Sequence, residues 1–365
     1  MEIAIFLAFK EGMRDLKAVG QDRRLVDYYL KEYSKRFDKV YVFSWRKEEY
    51  DFGIKNVVLI PNSKNINLYL YNFILPFMHR NILRRVSILR LMQFTPIIPA
   101  IISKIIYGKK FIATYGYIYS EVLKTKKSYF KKYFWRVVEK IGLLFTDAII
   151  ITSPKMKYFV ENNGFKNKIF LIPNSVNIKE FYPIEKEARN KNEILSVGRF
   201  EVEKNIENLA LALADIKNSV SLTLIGRGSL EQKIRNILDE GFVDYNIIQS
   251  LPHNELMKQY QNTDIFVLPS LNEGYPKVLI EAMSCGAACI VSKYDGYQYI
   301  IEENVNGLVC GFDEESIREK ILELINNETL RIKISKGARK FVEENNDIEK
   351  NIVKELDNIK SICKI

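Results

Sequence analysis

Two glutamates lie close together in the stretch NEGYPKVLIEAMSCG, with seven residues between them. The strand-like string TDIFVLPSL comes just before, so Glu273 is expected in the turn at the carboxyl end of a buried strand. Pro276 suits a first helical position, which places Glu281 inside the helix that follows. The free N–H groups of residues 274–278 at the start of that helix form a site for an anion.

This spacing lets the two carboxylates contact opposite ends of one ligand. From Pro276 to Glu281 the helix axis rises roughly 7–8 Å, at about 1.5 Å per residue. Periodicity predicts that the helix buries Val278, Leu279, Ala282 and Met283. Glu281, left off that stripe, is suited to accept hydrogen bonds from two ribose hydroxyls, and Glu273 from sugar hydroxyls, with phosphates between them. The same periodicity also fits a purely structural interpretation, in which one glutamate lies at the start of the helix and the other on its surface.

Two basic residues follow another strand end, in the string SVGRFEVEKN, where Arg199 and Lys204 lie in a predicted turn. Cations at the carboxyl end of a central strand clamp a diphosphate and stabilise the negative charge that grows on it as it leaves. Two loop residues that are merely solvated fit the same string, so the residues alone leave both interpretations open.

A third strand end carries the glycines of LIGRGS, Gly226 and Gly228. Glu231 occupies the place of the third glycine of a dinucleotide fingerprint, so the match to an NAD site is weak. A tight strand-to-helix turn that lets a nucleotide approach backbone amides is the better interpretation.

The elements that would position these residues alternate between strands and helices. In the first half, strands are predicted at EIAIFLAF, KVYVFSW, NVVLIP, KKFIATYG and DAIIITS, and helices at residues 21–36, LPFMHRNILRRVSILRL and KKSYFKKYFWRVVEKIGLLF. In the second half, strands at EILSVGRF, VSLTLIGRG, YNIIQSL, DIFVLPS, AACIVSK and GLVCGF alternate with helices, and two charged helices close the chain. Such alternation indicates parallel sheets covered on both faces.

A break falls at IPNSVNIKEFYPIEKEARNKNE, where prolines flank a highly charged stretch. We therefore predict an α/β protein with two tandem Rossmann-like, doubly wound domains, at residues 1–180 and 186–344. A C-terminal helix at about residues 345–365 is expected to pack back onto the first domain. Ligands of such sheets bind beyond the carboxyl ends of the strands, so a cleft between the domains is the expected site.

Composition is typical of a soluble globular protein, with 365 residues, 47% apolar and 27% charged. Four cysteines and two histidines show no metal-ligand spacing, so neither a metal nor a cofactor is predicted, and a reducing cytosol is expected. The start, MEIAIFLAFKEG, is typical of a first strand and not of a signal peptide. The longest uncharged apolar segment, residues 91–103, is too short to span a bilayer.

The second half resembles the retaining family-4 glycosyltransferases of the GT-B fold (glycosyl transferases group 1). The strings that carry the resemblance are SVGRFEVEKNIENLALAL, LIGRG, TDIFVLPSLNEGYPKVLIEAMSCGAACIVS and ENVNGLVC. TDAIIITSPKM and IPNSVNIKEFYP are also similar to that family's approach to its interdomain linker. The similarity covers about residues 146–311, and the two glutamates with the upstream basic pair are its most specific part.

The resemblance implies roles for residues of this chain. Glu273 would contact the donor sugar, Glu281 the ribose, and Arg199 and Lys204 the donor diphosphate. Further donor contacts are implied at Gly274, Tyr275, Pro276, Lys277, Gly226, Leu251 and, in the first half, Gly20. Retention of the α configuration without a metal is also implied, with the leaving phosphate deprotonating the acceptor hydroxyl on the same face.

The first half departs from that family's pattern at three places. A Gly-Gly pair usually follows the first strand, whereas this chain has Val19 and Gly20. The loop that often carries a histidine contains none here, since it has the sequence Thr114-Tyr115-Gly116-Tyr117. The linker string is PNSVN where PNGVD is common. These departures bear on the identity of the sugar and on the rate, and not on the donor-phosphate site.

Three function classes stay open from the sequence. The expected one is a hexosyltransferase that moves a sugar from a nucleotide-diphosphate sugar to an acceptor hydroxyl, in glycan, polysaccharide or glycolipid synthesis. A nucleotide-sugar 2-epimerase of the same fold would place more ionisable groups in its cleft. A non-catalytic nucleotide-sugar-binding subunit would account for the missing histidine.

Charge is spread unevenly between the halves. Residues 1–180 hold 32 Lys and Arg against 15 Asp and Glu, and the remainder holds 23 against 30. Between Phe52 and Thr146 there are 16 basic residues and two acids, Glu121 and Glu139. An anionic membrane surface that carries a lipid-linked acceptor fits this charge, with Trp135 and its aromatic neighbours at headgroup level. Solvated basic residues over a core of aromatics are the alternative, and nucleic acid is not expected because no such motif is present.

Overall fold

A computed structural model describes residues 1–18, 20–116, 129–185, 192–216 and 220–363. Within residues 129–134, Tyr133 alone has a described side chain. The chain forms two compact units, the first made of Met1–Pro173 with Glu349–Ile365 and the second of Asn174–Ile348. The division thus falls between Pro173 and Asn174, inside the predicted break and before the predicted end of the first domain at residue 180.

The first unit is built on a parallel sheet of seven strands. They are β1 (Glu2–Phe6), β2 (Lys39–Phe43), β3 (Val57–Ile60), β4 (Ile88–Leu91), β5 (Lys110–Tyr115), β6 (Ala148–Ile151) and β7 (Lys168–Leu171). Their order in the sheet is β3-β2-β1-β4-β5-β6-β7. The central strands are mostly apolar, as is typical of parallel strands buried on both faces.

Helices connect these strands. They are α1 (Met13–Ala18), a π-helical segment (Arg24–Leu30) that continues into α2 (Lys31–Arg36), α3 (Leu68–Met78), α4 (Arg80–Arg85), α5 (Ile97–Tyr107), α6 (Tyr129–Phe145) and α7 (Pro154–Asn162). Helix α3 packs on α5, and α5 packs on α6. Asn67 caps α3, since its side-chain oxygen accepts from the backbone N–H of Tyr69.

One predicted helix of this unit is wrong in its second half. The stretch LPFMHRNILRRVSILRL was predicted to be helical throughout, but α4 ends at Arg85 and Ile88–Leu91 is the strand β4, between β1 and β5. Arg90 made the pattern resemble the polar face of a helix. It is instead fully buried in the sheet, because Glu355 supplies its counter-charge from the far end of the chain. Strand β7 was also missing from the prediction.

The second unit has a parallel sheet of six strands. They are β8 (Asn192–Val197), β9 (Val220–Ile225), β10 (Asp244–Ile248), β11 (Ile265–Leu268), β12 (Ala288–Ser292) and β13 (Leu308–Cys310), in the order β10-β9-β8-β11-β12-β13. Its helices are α8 (Ile206–Ala214), α9 (Glu231–Glu240), α10 (His253–Asn262), α11 (Lys277–Ser284), α12 (Glu314–Asn326) and α13 (Glu328–Asn345), with short 3-10 turns at Val202–Lys204 and Tyr297–Tyr299.

Three helices close the chain where two were predicted, because α14 (Ile348–Cys363) follows α12 and α13. Most of α14 belongs to the first unit. There Arg90 Nε donates to Glu355 Oε1 at 2.7 Å, and the Tyr33 hydroxyl donates to the same oxygen at 2.5 Å. A second nitrogen of Arg90 donates to the Thr114 hydroxyl at 2.8 Å. The pair is thus enclosed by hydrogen-bonding partners, as a buried charge requires.

In the part of the chain that the structure describes, every helix is too short or too polar to traverse a lipid bilayer.

Candidate functional site

The predicted donor residues of the second unit follow the carboxyl ends of neighbouring strands. Strands β9, β8, β11 and β12 are adjacent and parallel, so their carboxyl ends lie at one edge of the sheet. Arg199 and Lys204 follow β8, Gly226 follows β9, and Glu273 follows β11. The sheet therefore gathers at one edge the residues that the sequence placed in separate turns.

The two glycines after β9 are required by contact between loops. Gly226 has a φ of +153°, and a Cβ there would lie 1.8 Å from the carbonyl oxygen of Gly198. A Cβ on Gly228 would lie 2.3 Å from the carbonyl oxygen of Phe200. The Phe200 N–H in turn donates to the carbonyl of Arg227 at 3.0 Å. The loops after β8 and β9 thus pack backbone to backbone, and a nucleotide contact at Gly226 stays a prediction.

Lys204 and Glu273 meet across the loops after β8 and β11. Lys204 Nζ lies 2.5 Å from Glu273 Oε1, and their side chains are 20% and 11% exposed. The Leu271 N–H donates to the carbonyl of Glu203 at 2.9 Å, and the Asn205 amide donates to the carbonyl of Pro269 at 3.1 Å. These bonds fix the two loops against each other, so the ammonium and the carboxylate are held in register.

Arg199 is placed differently from Lys204. Its guanidinium is 70% exposed and donates to Glu203 Oε1 at 2.7 Å. The nearby Glu201 accepts from the backbone and hydroxyl of Ser229 at 3.1 and 2.7 Å, and the hydroxyl bond is the largest cause of the lowered pKa of that carboxyl. The loop therefore holds Lys204 against a partly buried carboxylate and leaves Arg199 near solvent.

Glu281 is buried, and the expectation that it lies off the buried stripe of its helix is wrong. Its side chain is 3% exposed, because α11 packs against both α10 and α13. Glu281 Oε1 lies 3.0 Å from Lys277 Nζ, and Oε2 accepts from the Tyr260 hydroxyl at 3.1 Å. Burial, and next the charge of Glu281, raises the pKa of Tyr260, so the phenol is a neutral donor. Lys277 is thus the partner on the solvent side of this carboxylate.

Tyr275 and Pro276 precede α11, which begins at Lys277, one residue later than predicted. The carbonyl oxygen of Tyr275 accepts from the Asn174 amide at 2.6 Å, and its hydroxyl accepts from the Asn346 amide at 3.0 Å. Burial raises the pKa of Tyr275 to about 12. These contacts make Tyr275 an anchor of the turn, while its predicted contact with the donor stays untested. Gly274 beside it is exposed.

The remaining predicted residues lie apart from this cluster of side chains. Leu251 is half-buried between β10 and α10 and packs against the apolar core beside α11. Gly20 belongs to the first unit, where it has a φ of +66° in the turn after α1. Val19 and Tyr117, at which the sequence departs from the family pattern, lie outside the described residues.

Tyr260 is a residue of this site that no pattern in the sequence identifies. It lies on the apolar stripe of α10, 21 positions before its partner Glu281, and its polar end becomes visible only when α10 and α11 pack together. No group of three potential metal ligands converges among the described residues. Metal independence therefore stays a prediction.

Two family models match the chain, one for each half. Residues 177–341 match the model described as Glycosyl transferases group 1. Residues 23–180 match the model described as Glycosyltransferase Family 4. The first match contains Lys204, Glu273 and Glu281.

Curated relatives and solved structures are similar to the chain. An uncharacterized glycosyltransferase of Methanocaldococcus jannaschii is 30% identical over 61% of this chain and 61% of its own length. The N,N'-diacetylbacillosaminyl-diphospho-undecaprenol alpha-1,3-N-acetylgalactosaminyltransferase of Campylobacter jejuni is 28% identical over 54% and 56%. These alignments span less than two thirds of either relative. Sucrose-phosphate synthase from Thermosynechococcus elongatus has the same fold, with a TM-score of 0.79 at 19% identity over 99% of both chains.

Proposed function

The chain belongs to the group 1 glycosyl transferases, and from this premise we propose that it transfers a sugar from a nucleotide-diphosphate sugar to an acceptor hydroxyl. The predicted family and its GT-B fold of two doubly wound α/β domains are confirmed by the family matches and the structural neighbour. The relatives named above support the glycosyltransferase class over the epimerase and the binding subunit. Donor, acceptor and mechanism are parts of the proposal.

The observation that carries the proposal is the pairing of Lys204 with Glu273 at the sheet edge. An ammonium has three N–H donors, and Glu273 Oε1 takes one of them. The others are suited to the oxygens of a donor diphosphate, whose negative charge grows as the bond to the sugar breaks. Lys204 then lies between the phosphate and Glu273, so Glu273 is on the side where the sugar of a nucleotide sugar is expected.

Glu281 and Lys277 complete the donor site at the ribose end. Since Glu281 is buried, the ribose reaches it by displacing the Lys277 ammonium from Oε1, while Tyr260 keeps Oε2 occupied. Tyr260 thereby orients the carboxylate for two ribose hydroxyls. Arg199, which is exposed, closes on the diphosphate only by leaving Glu203.

The proposed chemistry retains the α configuration and uses no metal. The C1–O bond to the diphosphate breaks, the acceptor oxygen bonds to C1 on the same face, and the leaving phosphate oxygen takes the acceptor proton. Lys204 and Arg199 stabilise the departing diphosphate, and the N–H groups at the start of α11 add to that stabilisation. The family resemblance supports retention, and the relative from Campylobacter jejuni is likewise named for an alpha-1,3 linkage.

A panel of UDP- and GDP-linked hexoses tests this function, with release of nucleoside diphosphate measured with and without acceptor and in the presence of chelator. We expect acceptor-dependent release from at least one donor, unchanged by chelator. Epimerised sugar without release would identify the epimerase, and binding without either would identify the binding subunit. An absolute need for added Mn²⁺ or Mg²⁺ would contradict the metal-independent mechanism.

We also propose that the acceptor is lipid-linked or a glycan and that the first unit docks on the cytoplasmic face of an anionic membrane. The relative from Campylobacter jejuni is named for a diphospho-undecaprenol substrate, which supports a lipid-linked acceptor. Exposed apolar side chains lie on three helices of the first unit, α3, α5 and α6, of which α5 packs against the other two. The most exposed of them are Tyr69, Leu70, Phe73, Phe77, Ile105, Tyr133 and Leu144.

Basic side chains accompany this apolar surface. Arg80 and Arg84 on α4 and Arg136 and Lys140 on α6 are exposed. Each such residue near an anionic leaflet contributes about 1 kcal/mol. Trp135, predicted at headgroup level, is half-buried, so the aromatics best placed to insert are those of α3.

Co-sedimentation with phosphatidylglycerol and phosphatidylcholine vesicles at low and high salt tests this docking. We expect binding to the anionic vesicles at low salt, reduced by high salt and by replacing Phe73 and Phe77 with serine. Phe242→Ser is the matched control, since Phe242 is 89% exposed in the second unit. Equal failure to bind both vesicle types at low salt would contradict the membrane proposal and leave a soluble acceptor.

A further inference from the structure

Tyr294 carries a buried hydroxyl that lacks a hydrogen-bond partner among the described residues. The residue is 1% exposed. It follows β12 by two residues, and β12 pairs with β11 through Leu268 and Val291. The phenol therefore leaves the same sheet edge as Glu273, from the next strand.

Of the neighbouring buried hydroxyls in the described chain, one is hydrogen-bonded and two are not. Ser292, at the end of β12, donates to the carbonyl of Ser270 at 2.5 Å. The hydroxyl of Ser270 itself, three residues before Glu273, is buried without a partner, as is that of Ser196 near the end of β8. Buried polar groups are nearly always hydrogen-bonded, so unpartnered hydroxyls on three adjacent strand ends indicate a polar ligand at this edge.

The surroundings of Tyr294 determine which part of a ligand it suits. Its ring lies in the cluster that contains Tyr275 and stands edge-on to Tyr297, with ring centroids 6.4 Å apart. Burial raises the pKa of Tyr294, and the charge of Glu273 raises it further. The phenol thus stays protonated and donates, whereas the Glu273 carboxylate, which follows the neighbouring strand β11, accepts.

We propose that the Tyr294 hydroxyl donates a hydrogen bond to a ring hydroxyl of the donor sugar and so selects which sugar is transferred. A sugar hydroxyl accepts from a phenol and donates to a carboxylate at the same time, so one such group satisfies Tyr294 and Glu273 together. A phosphate oxygen would be repelled by Glu273 and is provided for by Lys204. This inference rests on the proposed transfer from a nucleotide sugar.

The test pairs Tyr294→Phe with Tyr297→Phe, since both remove one hydroxyl from the same aromatic cluster. The probes are the active donor from the hexose panel and its 2-, 3-, 4- and 6-deoxy analogues. We expect Tyr294→Phe to lower kcat/KM for the intact donor by roughly 3- to 10-fold, as loss of one neutral hydrogen bond does. With one deoxy analogue the variant and the parent should be equal, because the interaction is already absent.

Calorimetry with UDP or GDP alone separates the sugar from the phosphate. We expect Tyr294→Phe to bind the free nucleotide as the parent does, and Tyr297→Phe to match the parent throughout. An unchanged kcat/KM for Tyr294→Phe, or a loss that is the same for every deoxy analogue, would overturn the inference and leave the proposed function intact. Equal weakening of nucleotide and nucleotide sugar would assign Tyr294 to the diphosphate instead. A parent that binds no nucleotide sugar would overturn the function itself and this inference with it.

Discussion

Replacing Glu355 with alanine should destabilise the first unit strongly, although the residue lies on the last helix of the chain. Glu355 and Arg90 form an ion pair whose side chains are 3% and 2% exposed. Glu355 also accepts from the Tyr33 hydroxyl. Alanine would therefore leave a guanidinium and a phenol buried without their shared acceptor.

The size of the effect follows from this burial. Removing one partner of a buried ion pair costs about 3–5 kcal/mol, because the other charge stays in a region of low dielectric constant. Asp357→Ala, two residues further along the same helix, is the matched control. Asp357 pairs with Arg36 at 3.4 Å, and the two side chains are 60% and 34% exposed. A surface pair of this kind contributes about 0–1 kcal/mol.

Urea unfolding followed by tryptophan fluorescence measures this difference in the first unit alone. The chain has two tryptophans, Trp45 and Trp135, and both belong to the first unit. Trp45 is 1% exposed, so its emission should shift when the core opens. The transition midpoint should fall far more for Glu355→Ala than for Asp357→Ala at an unchanged slope. Equal midpoints for the two variants would refute the argument that α14 completes the core of this unit.

Three further predictions concern the site and the pH dependence. Removing the side chain of Lys204 or of Arg199 should lower kcat/KM, measured at subsaturating donor. The expected loss corresponds to an increase of roughly 2–4 kcal/mol in the activation free energy. Glu281→Gln should weaken nucleotide binding by about 1–3 kcal/mol in calorimetry, while the glutamine fills the same space. Burial lowers the pKa of His79 from 6.5, so the stability linked to it is present above about pH 6.5 and is lost as the pH falls through that value toward the lower folded pKa. When the pH is lowered from about 7.5 to about 5.5, the urea midpoint of the tryptophan signal should fall by less in His79→Gln than in the parent. His253→Gln should follow the parent, because His253 lies in the second unit.

The sequence was sufficient to predict the position of residues that lie close together in the chain. Glu273, the helix after Pro276 and the basic loop after β8 lie within short strings, and strand-turn-helix order fixes their place at a sheet edge. The pairing of Lys204 with Glu273 spans 69 positions, yet it follows from the adjacency of β8 and β11. The spacing alone left the roles of Glu273 and Glu281 open, and the expected roles come from the family resemblance.

The failures at Arg90 and Glu281 have one physical cause, which is that each side chain has a partner that the local pattern does not show. The stretch that contains β4 was predicted to be helical because a charged residue such as Arg90 is expected at a solvent-exposed position. Its counter-charge, Glu355, lies 265 positions away and is not visible in the local pattern. Glu281 was expected at the surface, since a periodic pattern counts a carboxylate as polar and does not register Lys277 and Tyr260 as its partners. Tertiary contacts therefore decided both residues, as they commonly override a local pattern.

The most direct test of the account is the effect of Glu273→Ala on transfer and on nucleotide affinity, measured in the same preparation. The account predicts that transfer from the active donor is abolished. Affinity for the free nucleoside diphosphate should stay within about threefold of the parent, because the proposed contact of Glu273 is with the sugar and its loss leaves Lys204 to the phosphate. Turnover within a few-fold of the parent would contradict the assignment of the donor site to this sheet edge.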